Sequence, residues 1–157
     1  MSDLQEALTA VVDSTAPSDY PVDGFHHRHK TSADKLPELA ATFRENGYFL
    51  EMITCEDQRE AANALRLVYT FNRFSEVDRH LVQSDIEPGT EAPTLVDTYR
   101  AADWMEREVY DMYGVVFAGH PELKRILLPD DSDFFALLKD FGRMEDAEAE
   151  EEEGEAS

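Results

Sequence analysis

The side chains of this chain that could take part in chemistry are concentrated in residues 104–131. This stretch combines charges and aromatic rings with a glycine and a Gly-His-Pro turn, at Trp104, Glu106, Arg107, Glu108, Asp111, Tyr113, Gly114, Gly119, His120, Pro121, Leu123 and Arg125. Glu106 and Glu108 are two residues apart, and on a helix such positions point about 200° from each other. They cannot share a substrate as an acid–base pair. No catalytic residue is predicted.

The spacing predicts a helix over residues 104–113. Asp103 followed by Glu106 is typical of a capping box at the start of a helix, and Gly114 fits the left-handed position that follows one. The apolar residues recur at helical spacing and should face the core: Met105, Val109, Met112 and Tyr113.

The charged residues of the predicted helix lie on the sides that do not face the core. Arg107 and Asp111 are four residues apart, so we expect them to pair on the outward face beside Trp104 and Glu108. Glu106 lies away from that pair and needs a buried donor or a partner chain. A plain alternative is a capped helix with a solvated charged face and a satisfied histidine.

Two further segments complete the stretch. Gly119-His120-Pro121 is typical of a tight turn, because proline fixes its own φ and keeps the preceding residue out of the helical region. Apolar side chains between residues 123 and 128 should then bury a short segment that Pro129 ends.

In order and spacing, these residues resemble the signature of the 30 kDa subunit family of respiratory complex I, its C-type subunit. That signature is Glu-Arg-Glu, an Asp, an aromatic-Gly pair and Gly-His-Pro-x-Leu-x-Arg, and the similarity continues through Pro129-Asp130-Asp131. Fainter similarity reaches back to about His27. Where the family usually has Trp and then Pro-Leu-Arg-Lys-Asp, this chain has different residues over 132–140.

The resemblance implies a cofactor-free subunit of the hydrophilic arm of an NADH–quinone oxidoreductase that couples electron transfer to proton translocation. FMN and iron–sulfur clusters would belong to partner subunits. The chief partner would be the large quinone-site subunit, which we call the D-type subunit, together with cluster-bearing subunits, at the cytoplasmic face of the cell membrane. The signature residues would form the partner interface, with Glu106, Arg107, Asp111, His120 and Arg125 as its orienting charges.

Other functions stay open. The altered residues 132–140 keep the equivalent subunit of a [NiFe] hydrogenase, formate hydrogenlyase or F420H2 dehydrogenase complex as an alternative. Alternatives from another class are a stand-alone acidic binding protein and a histidine-based metal enzyme.

Composition limits these functions. The net charge of −21, from 35 acidic and 14 basic residues among 157, argues against binding to nucleic acid and against direct contact with anionic lipid. The single cysteine, Cys55, cannot form a disulfide within the chain, nor hold an iron–sulfur cluster, which normally needs about four thiolates. No apolar run approaches the ~18 residues of a membrane helix, and the first residues do not resemble a signal peptide. Membrane contact is therefore expected only through partners.

His26-His27-Arg28-His29 is the one run that suggests a metal. His27 and His29 would share a strand face, but a site needs three or four converging ligands, and no other cluster nearby in the sequence has metal spacing. We therefore predict no metal site, and expect these imidazoles to face solvent or a partner.

The elements that position these residues predict an α+β domain. A helix over 3–12 and a linker over 13–24 precede a strand over 25–31, a helix with Asp34 as N-cap, and strands over 48–54, 64–71, 77–84 (an edge strand) and 94–99. This order favours a mixed, mostly antiparallel sheet of about four to five strands with helices packed on one side, followed by an extended C-terminal segment.

The predicted organisation has four parts. Residues 1–24 form an N-terminal helix and linker, 25–131 the α+β domain, 132–144 a partner-docking extension, and 145–157 a disordered acidic tail, because like charges repel and have nothing to bury.

Overall fold

The computed structural model describes residues 3–141. The helices are α1 (Asp3–Thr9), α2 (Tyr20–Asp23), α3 (Leu36–Glu45), preceded by a 3-10 turn at Ala33–Lys35, α4 (Arg59–Ala62) and α5 (Ala102–Tyr113). The strands are β1 (Ser14–Pro17), β2 (His27–Lys30), β3 (Phe49–Gln58), β4 (Ala64–Asn72), β5 (His80–Ile86), β6 (Glu91–Pro93) and β7 (Val116–Ala118).

The main sheet has five strands in the order β1-β2-β5-β4-β3. Its neighbours are antiparallel except β2 and β5, which run parallel with His27 opposite His80. The predicted α+β fold with a mixed, mostly antiparallel sheet is confirmed. A second sheet contains only β6 and β7, which are parallel and lie on either side of α5 in sequence.

One apolar core joins the sheet to the helices. It includes Leu8 of α1, Leu39 and Phe43 of α3, and Val109 of α5, packed with strand residues such as Tyr69. α3 forms because its apolar residues recur at helical spacing, and Pro37 lies in its first turn, where no N–H donor is needed. The predicted N-cap is wrong, because the helix begins at Leu36 and Asp34 belongs to the 3-10 turn before it.

Two strand predictions are wrong. β5 is an internal strand, not an edge, since β2 and β4 pair with its two sides. Its polar residues His80 and Ser84 are both buried. Residues 94–99 are a turn rather than a strand: the N–H of Tyr99 donates to Leu95 O at 2.8 Å, and both side chains reach the core from positions four apart.

The N-terminal region also differs from its prediction. β1 and α2 lie within residues 13–24, for which a linker was predicted, and β1 pairs with β2. The prediction that the 26–29 imidazoles face solvent or a partner is wrong for His29, which is 2% exposed.

The rest of the domain division stays a prediction. The acidic tail over 145–157 lies outside the described residues, as do residues 142–144 of the predicted extension. No helix within residues 3–141 is long and apolar enough to cross a membrane.

The internal position of β5 predicts a pattern of amide hydrogen exchange. Backbone amides of residues 81–83 alternate between two partner strands, so all of them should exchange slowly, like those of the middle of β4. Exchange measured by NMR tests this at each residue. Fast exchange at every second amide of residues 81–83 would show that β5 is an edge strand after all.

Candidate functional site

The signature helix α5 ends where only glycine fits. Gly114 has φ of 78° and its N–H donates to Tyr110 O at 2.9 Å, as in a helix that stops at a left-handed residue. A Cβ at this position would lie 2.8 Å from the ring of Phe135. The predicted role of Gly114 is confirmed. The helix begins at Ala102, after Ala101, and no side chain caps it, so the predicted capping box is wrong.

The carboxylate of Asp111 is the centre of the site. Asp111 is fully buried, and its Oδ2 accepts the N–H groups of Ile126, Leu127 and Leu128 at 3.1, 2.7 and 2.9 Å. Its Oδ1 accepts from the guanidinium of Arg125 at 2.6 Å. Successive backbone N–H groups form a concave anion site. Here its anion comes from α5 of the same chain, which fixes the 125–128 segment against the helix.

Arg125 extends this connection to the C-terminal segment. Its guanidinium also donates to the backbone carbonyl oxygens of Asp111, Ser132 and Phe134, at 3.0, 2.9 and 2.9 Å. It lies over the ring of Phe135 at 5.2 Å from the centroid. Only the planar, multi-donor guanidinium can bind so many acceptors at once, so the arginine joins α5, the 125–128 segment and residues 132–135.

The donors around Asp111 decide its ionisation. Burial by itself raises the pKa of a carboxyl group, but the three backbone N–H groups and Arg125 favour the anion more strongly and lower the pKa of Asp111 to about 2. The carboxylate is therefore charged at neutral pH. A charge buried in this way is stable only while its partners stay in place.

Arg107 does not form the predicted pair with Asp111. Its guanidinium donates to the backbone carbonyl oxygens of Lys124 and Arg125 at 3.2 and 3.3 Å, and lies 5.6 Å from the ring centroid of Trp104. The prediction is wrong because helical spacing brings residues i and i+4 close but does not show whether a loop supplies better partners. Both signature charges instead hold the loop that follows β7.

Glu106 is a second buried carboxyl group, and its donors come from its own chain. The Thr94 hydroxyl donates to it at 2.5 Å and the Leu95 N–H at 2.7 Å. Burial raises the pKa of Glu106, while these two hydrogen bonds act in the opposite direction. Of the two possibilities that the sequence left open for Glu106, the buried donor is correct, and it ties α5 to the turn after β6.

The Gly-His-Pro turn is closed by its histidine. The His120 side chain is 0% exposed, its Nδ1 accepts the N–H of Glu122 at 3.0 Å, and its Nε2 lies 3.1 Å from the backbone oxygen of Asp103. This geometry assigns the proton to Nε2. Gly119 has φ of 84° and Pro121 is exposed. His120 is thus a structural residue that fixes the turn to the start of α5.

The remaining signature residues divide between core and surface. Tyr113 and Leu123 pack against the core. Glu108 and Trp104 are exposed, the latter by 67%. Three apolar side chains of the following segments are also exposed: Leu127 by 63%, Leu137 by 52% and Phe134 by 37%. We call Trp104, Leu127, Phe134 and Leu137 the signature face, because each is attached to α5 directly or through Arg107, Asp111 or Arg125.

The segment after residue 131 folds back on its own domain, which sequence reasoning did not predict. The N–H of Leu137 donates to Met112 O at 3.1 Å, and that of Lys139 to the Asp57 carboxylate at 2.9 Å. Arg59 pairs with both Asp57 and Asp140, at 2.8 and 2.7 Å. The partners are about eighty residues apart in sequence, so no local pattern could have paired them. The segment is held in place whether or not it also contacts a partner.

The arrangement holds the loops that follow β6 and β7 against α5. Each of the buried ionisable side chains of the signature, Glu106, Asp111 and His120, is hydrogen-bonded within the chain. Their partners are mainly backbone groups of loops that follow β6 and β7. Its exposed side chains include the apolar Trp104 and Leu127 together with the carboxylate of Glu108.

Replacing Asp111 by alanine should lower the free energy of unfolding by roughly 3–5 kcal/mol, since the guanidinium of Arg125 and three N–H groups would lose their buried acceptor. Denaturant unfolding of the isolated chain measures this. The matched control is Glu108→Ala, an exposed carboxylate of the same helix, expected within about 0.5 kcal/mol of wild type. Similar losses in the two variants would show that Asp111 has no special structural role.

The chain resembles known proteins over most of its length. The model of the family described as the 30 kDa subunit of respiratory-chain NADH dehydrogenase matches residues 29–147. The C-type subunit of NADH-quinone oxidoreductase from Neorickettsia sennetsu is 38% identical over 113 residues, which are 71% of this chain and 61% of that protein. A C/D-type subunit of NADH-quinone oxidoreductase from Aquifex aeolicus is 37% identical over 114 residues, 71% of this chain and 19% of that protein. The chain thus spans less than two thirds of the length of these relatives.

Among solved structures, a trypsin-resistant fragment of Nqo5 superposes with a TM-score of 0.64 at 24% identity, covering 76% of this chain and 96% of the fragment. This supports the fold. The family match covers most of the chain and includes α5, the turn of His120 and the Asp111 site. The chain therefore belongs to the 30 kDa subunit family of respiratory-chain NADH dehydrogenase.

Proposed function

We propose that this chain is a structural subunit of the hydrophilic arm of a complex-I-like NADH–quinone oxidoreductase. Partner subunits would carry electrons from NADH through FMN and iron–sulfur clusters to quinone, coupled to proton translocation. The chain would contribute no redox cofactor and no catalytic residue. Family membership supports a subunit of such a complex, and the geometry of α5 supports the structural role.

The observation that carries the proposal is that the signature buries the charges of Asp111 and Arg125 while it exposes apolar groups beside the one exposed carboxylate, Glu108. The Asp111 carboxylate and the Arg125 guanidinium, 0% and 9% exposed, are satisfied by their own chain. Trp104 and Leu127, attached to the same helix and loop, are more than half exposed. Residues that a chain fixes rigidly and leaves apolar at its surface are typical of the centre of a protein interface, where tryptophan is especially frequent.

The proposed partner at this face is the D-type subunit, the large subunit of the quinone site. The Aquifex aeolicus relative is named for both the C and the D types, and its similarity to this chain covers only 19% of its length. A single polypeptide named for two subunits supports the view that the two lie next to each other. Cluster-bearing subunits would be further neighbours. Under this proposal the chain would lie at the cytoplasmic face of the membrane, held there by its partners.

The sulfur chemistry of the chain also supports a role without an iron–sulfur cluster. Cys55 is the only cysteine of the sequence, and its side chain is buried in the core. Burial raises the pKa of the thiol to about 12, so it stays protonated at neutral pH, whereas a metal ligand must be a thiolate. The electron path would therefore run through partners.

Purification of the tagged full chain from membranes of cells that make it tests the proposal. We expect a D-type subunit and cluster-bearing subunits to co-purify, with NADH–quinone reductase activity. Trp104→Ala with Leu127→Ala should weaken retention of the D-type subunit by about 2 kcal/mol or more, roughly 30-fold, without a matching loss of stability. The matched control is Phe74→Ala, which removes an aromatic ring that is 90% exposed in the loop between β4 and β5.

The other possible outcomes would support a different function or contradict the proposed interface. A nickel–iron subunit in place of the NADH-oxidising subunits would favour the hydrogenase-type alternative, and recovery of the chain alone would favour a stand-alone acidic binding protein. Equal weakening by Phe74→Ala and by the Trp104 and Leu127 variants would contradict the interface assigned to the signature face.

A further inference from the structure

The parallel pairing of β2 with β5 gathers three metal-binding side chains that the sequence keeps apart. His27 lies opposite His80 in the register, and Asp78 precedes His80 by two residues. One ligand atom from each of the three lies within 4.8 Å of the other two. The rings of His27 and His80 are 4.9 Å apart.

His80 presents a ring nitrogen that is not hydrogen-bonded. The residue is 1% exposed, and its Nε2 is a buried atom without a hydrogen-bond partner among the described residues. That Nε2 lies 3.3 Å from Asp78 Oδ1. Edge contacts with Phe43 and Tyr48, at 5.2 and 5.3 Å between centroids, fix the ring plane. A buried polar atom left unpaired costs free energy, and a bound ion would remove that cost.

The two oxygens of Asp78 have different surroundings. Oδ2 accepts the hydroxyl of Tyr48 and lies 3.6 Å from the guanidinium of Arg73, which also pairs with Glu76. Oδ1 faces His80 Nε2. Oδ1 also lies 4.0 Å from His26 Nδ1. One oxygen of the carboxylate is thus hydrogen-bonded, and the other is surrounded by imidazole nitrogens.

We propose that His27, Asp78 and His80 bind a divalent transition-metal ion of the Zn²⁺ type. Two imidazoles and a carboxylate are a ligand set used for such ions, with the remaining position open to water. Ligand distances of about 2.0–2.1 Å in a tetrahedral site place two ligand atoms about 3.3 Å apart, which is the separation between Asp78 Oδ1 and His80 Nε2. His27 is partly exposed, and its ligand atom lies within 4.8 Å of those of Asp78 and His80.

A second layer of residues prepares His80 for this role. Its Nδ1 is 2.9 Å from His29 Nε2, and His29 Nδ1 is 2.9 Å from the hydroxyl oxygen of Thr15. With the ion on His80 Nε2, the proton of that ring occupies Nδ1 and is donated to His29 Nε2. His29 then donates from Nδ1 to Thr15. A ligating histidine whose other nitrogen is hydrogen-bonded in this way is oriented for its metal.

The bound ion would join β2 to β5 and so fasten the N-terminal part of the chain, including β1, to the centre of the sheet. This role goes beyond the proposed function and is independent of it, because the binding takes place within one chain. Sequence reasoning missed the site since Asp78 and His80 are about fifty residues from the 26–29 run.

Metal titration tests the proposal. The full chain is purified without a polyhistidine tag and stripped of metal with a chelator. Zn²⁺ binding is then measured by calorimetry, and Co²⁺ binding by its visible absorption. We expect one site per chain. His27→Gln and Asp78→Asn should each weaken Zn²⁺ binding by about 100-fold or more. Loss of a direct ligand should cost at least as much affinity as loss of a residue that only hydrogen-bonds a ligand. Thermal melts in chelator confirm that the variants fold, and Zn²⁺ should raise the melting temperature of the wild type but not of His27→Gln.

The matched control is His26→Gln, which removes an imidazole whose Nδ1 lies 4.0 Å from Asp78 Oδ1 but already accepts the N–H of Arg79 at 3.0 Å. It should bind Zn²⁺ within a few-fold of wild type. Equal weakening by His26→Gln and His27→Gln would mean that the ion binds loosely to the exposed run, and the proposal would be overturned. Displacement of Zn²⁺ by excess Mg²⁺ would also overturn it, because Mg²⁺ prefers oxygen ligands and would report binding to carboxylates alone.

Discussion

The buried carboxylate of Asp111 is the constraint on which the C-terminal third of the structure depends. Three consecutive N–H groups and the Arg125 guanidinium converge on it. Because a buried anion is strongly destabilised when it loses its donors, these contacts hold the 125–128 segment against α5. Arg125 then places residues 132–135, and Phe135 covers Gly114, where a side chain would clash. One interaction inside the domain thus determines what the surface presents.

Two carboxyl groups of α5 show how the number of donors controls ionisation. Glu106 and Asp111 are both 0% exposed. Burial raises the pKa of Glu106, and its two neutral donors only partly oppose this. Burial acts on Asp111 in the same direction, but three N–H groups and a cation reverse the result and lower its pKa to about 2. The first carboxyl group ties two segments together, whereas the second fixes a fully charged centre that organises a loop.

The sequence predicted those features of the fold that depend on local spacing. Helical periodicity located α5, and the glycine after it marked its end at the correct residue. Alternating apolar residues located β3 and β4. Features set by distant partners were missed or wrong: Asp111 pairs with Arg125 instead of Arg107, and β5 is internal because β2, from the far N-terminal region, covers its second side.

In the candidate site, too, local features were predicted and contacts between distant residues were not. Its residues were identified from their similarity to a family signature, and α5 with its loops brings them together. The sequence predicted that they orient a partner. It could not show whether they instead hold their own chain together, because that depends on which groups they are hydrogen-bonded to. The Asp111 partners lie 14 to 17 residues along the chain, beyond the reach of any helical or strand period.

The ionisation of Asp111 tests the central claim most directly. A ¹³C NMR titration of the side-chain carboxyl group in the isolated full chain follows this one residue without the partner subunits. We predict an apparent pKa near 2, because four donors hold the anion in the free chain. A pKa at or above the ordinary value of about 3.9 for an aspartic acid would contradict this, and would mean that the loop is not organised by this carboxylate.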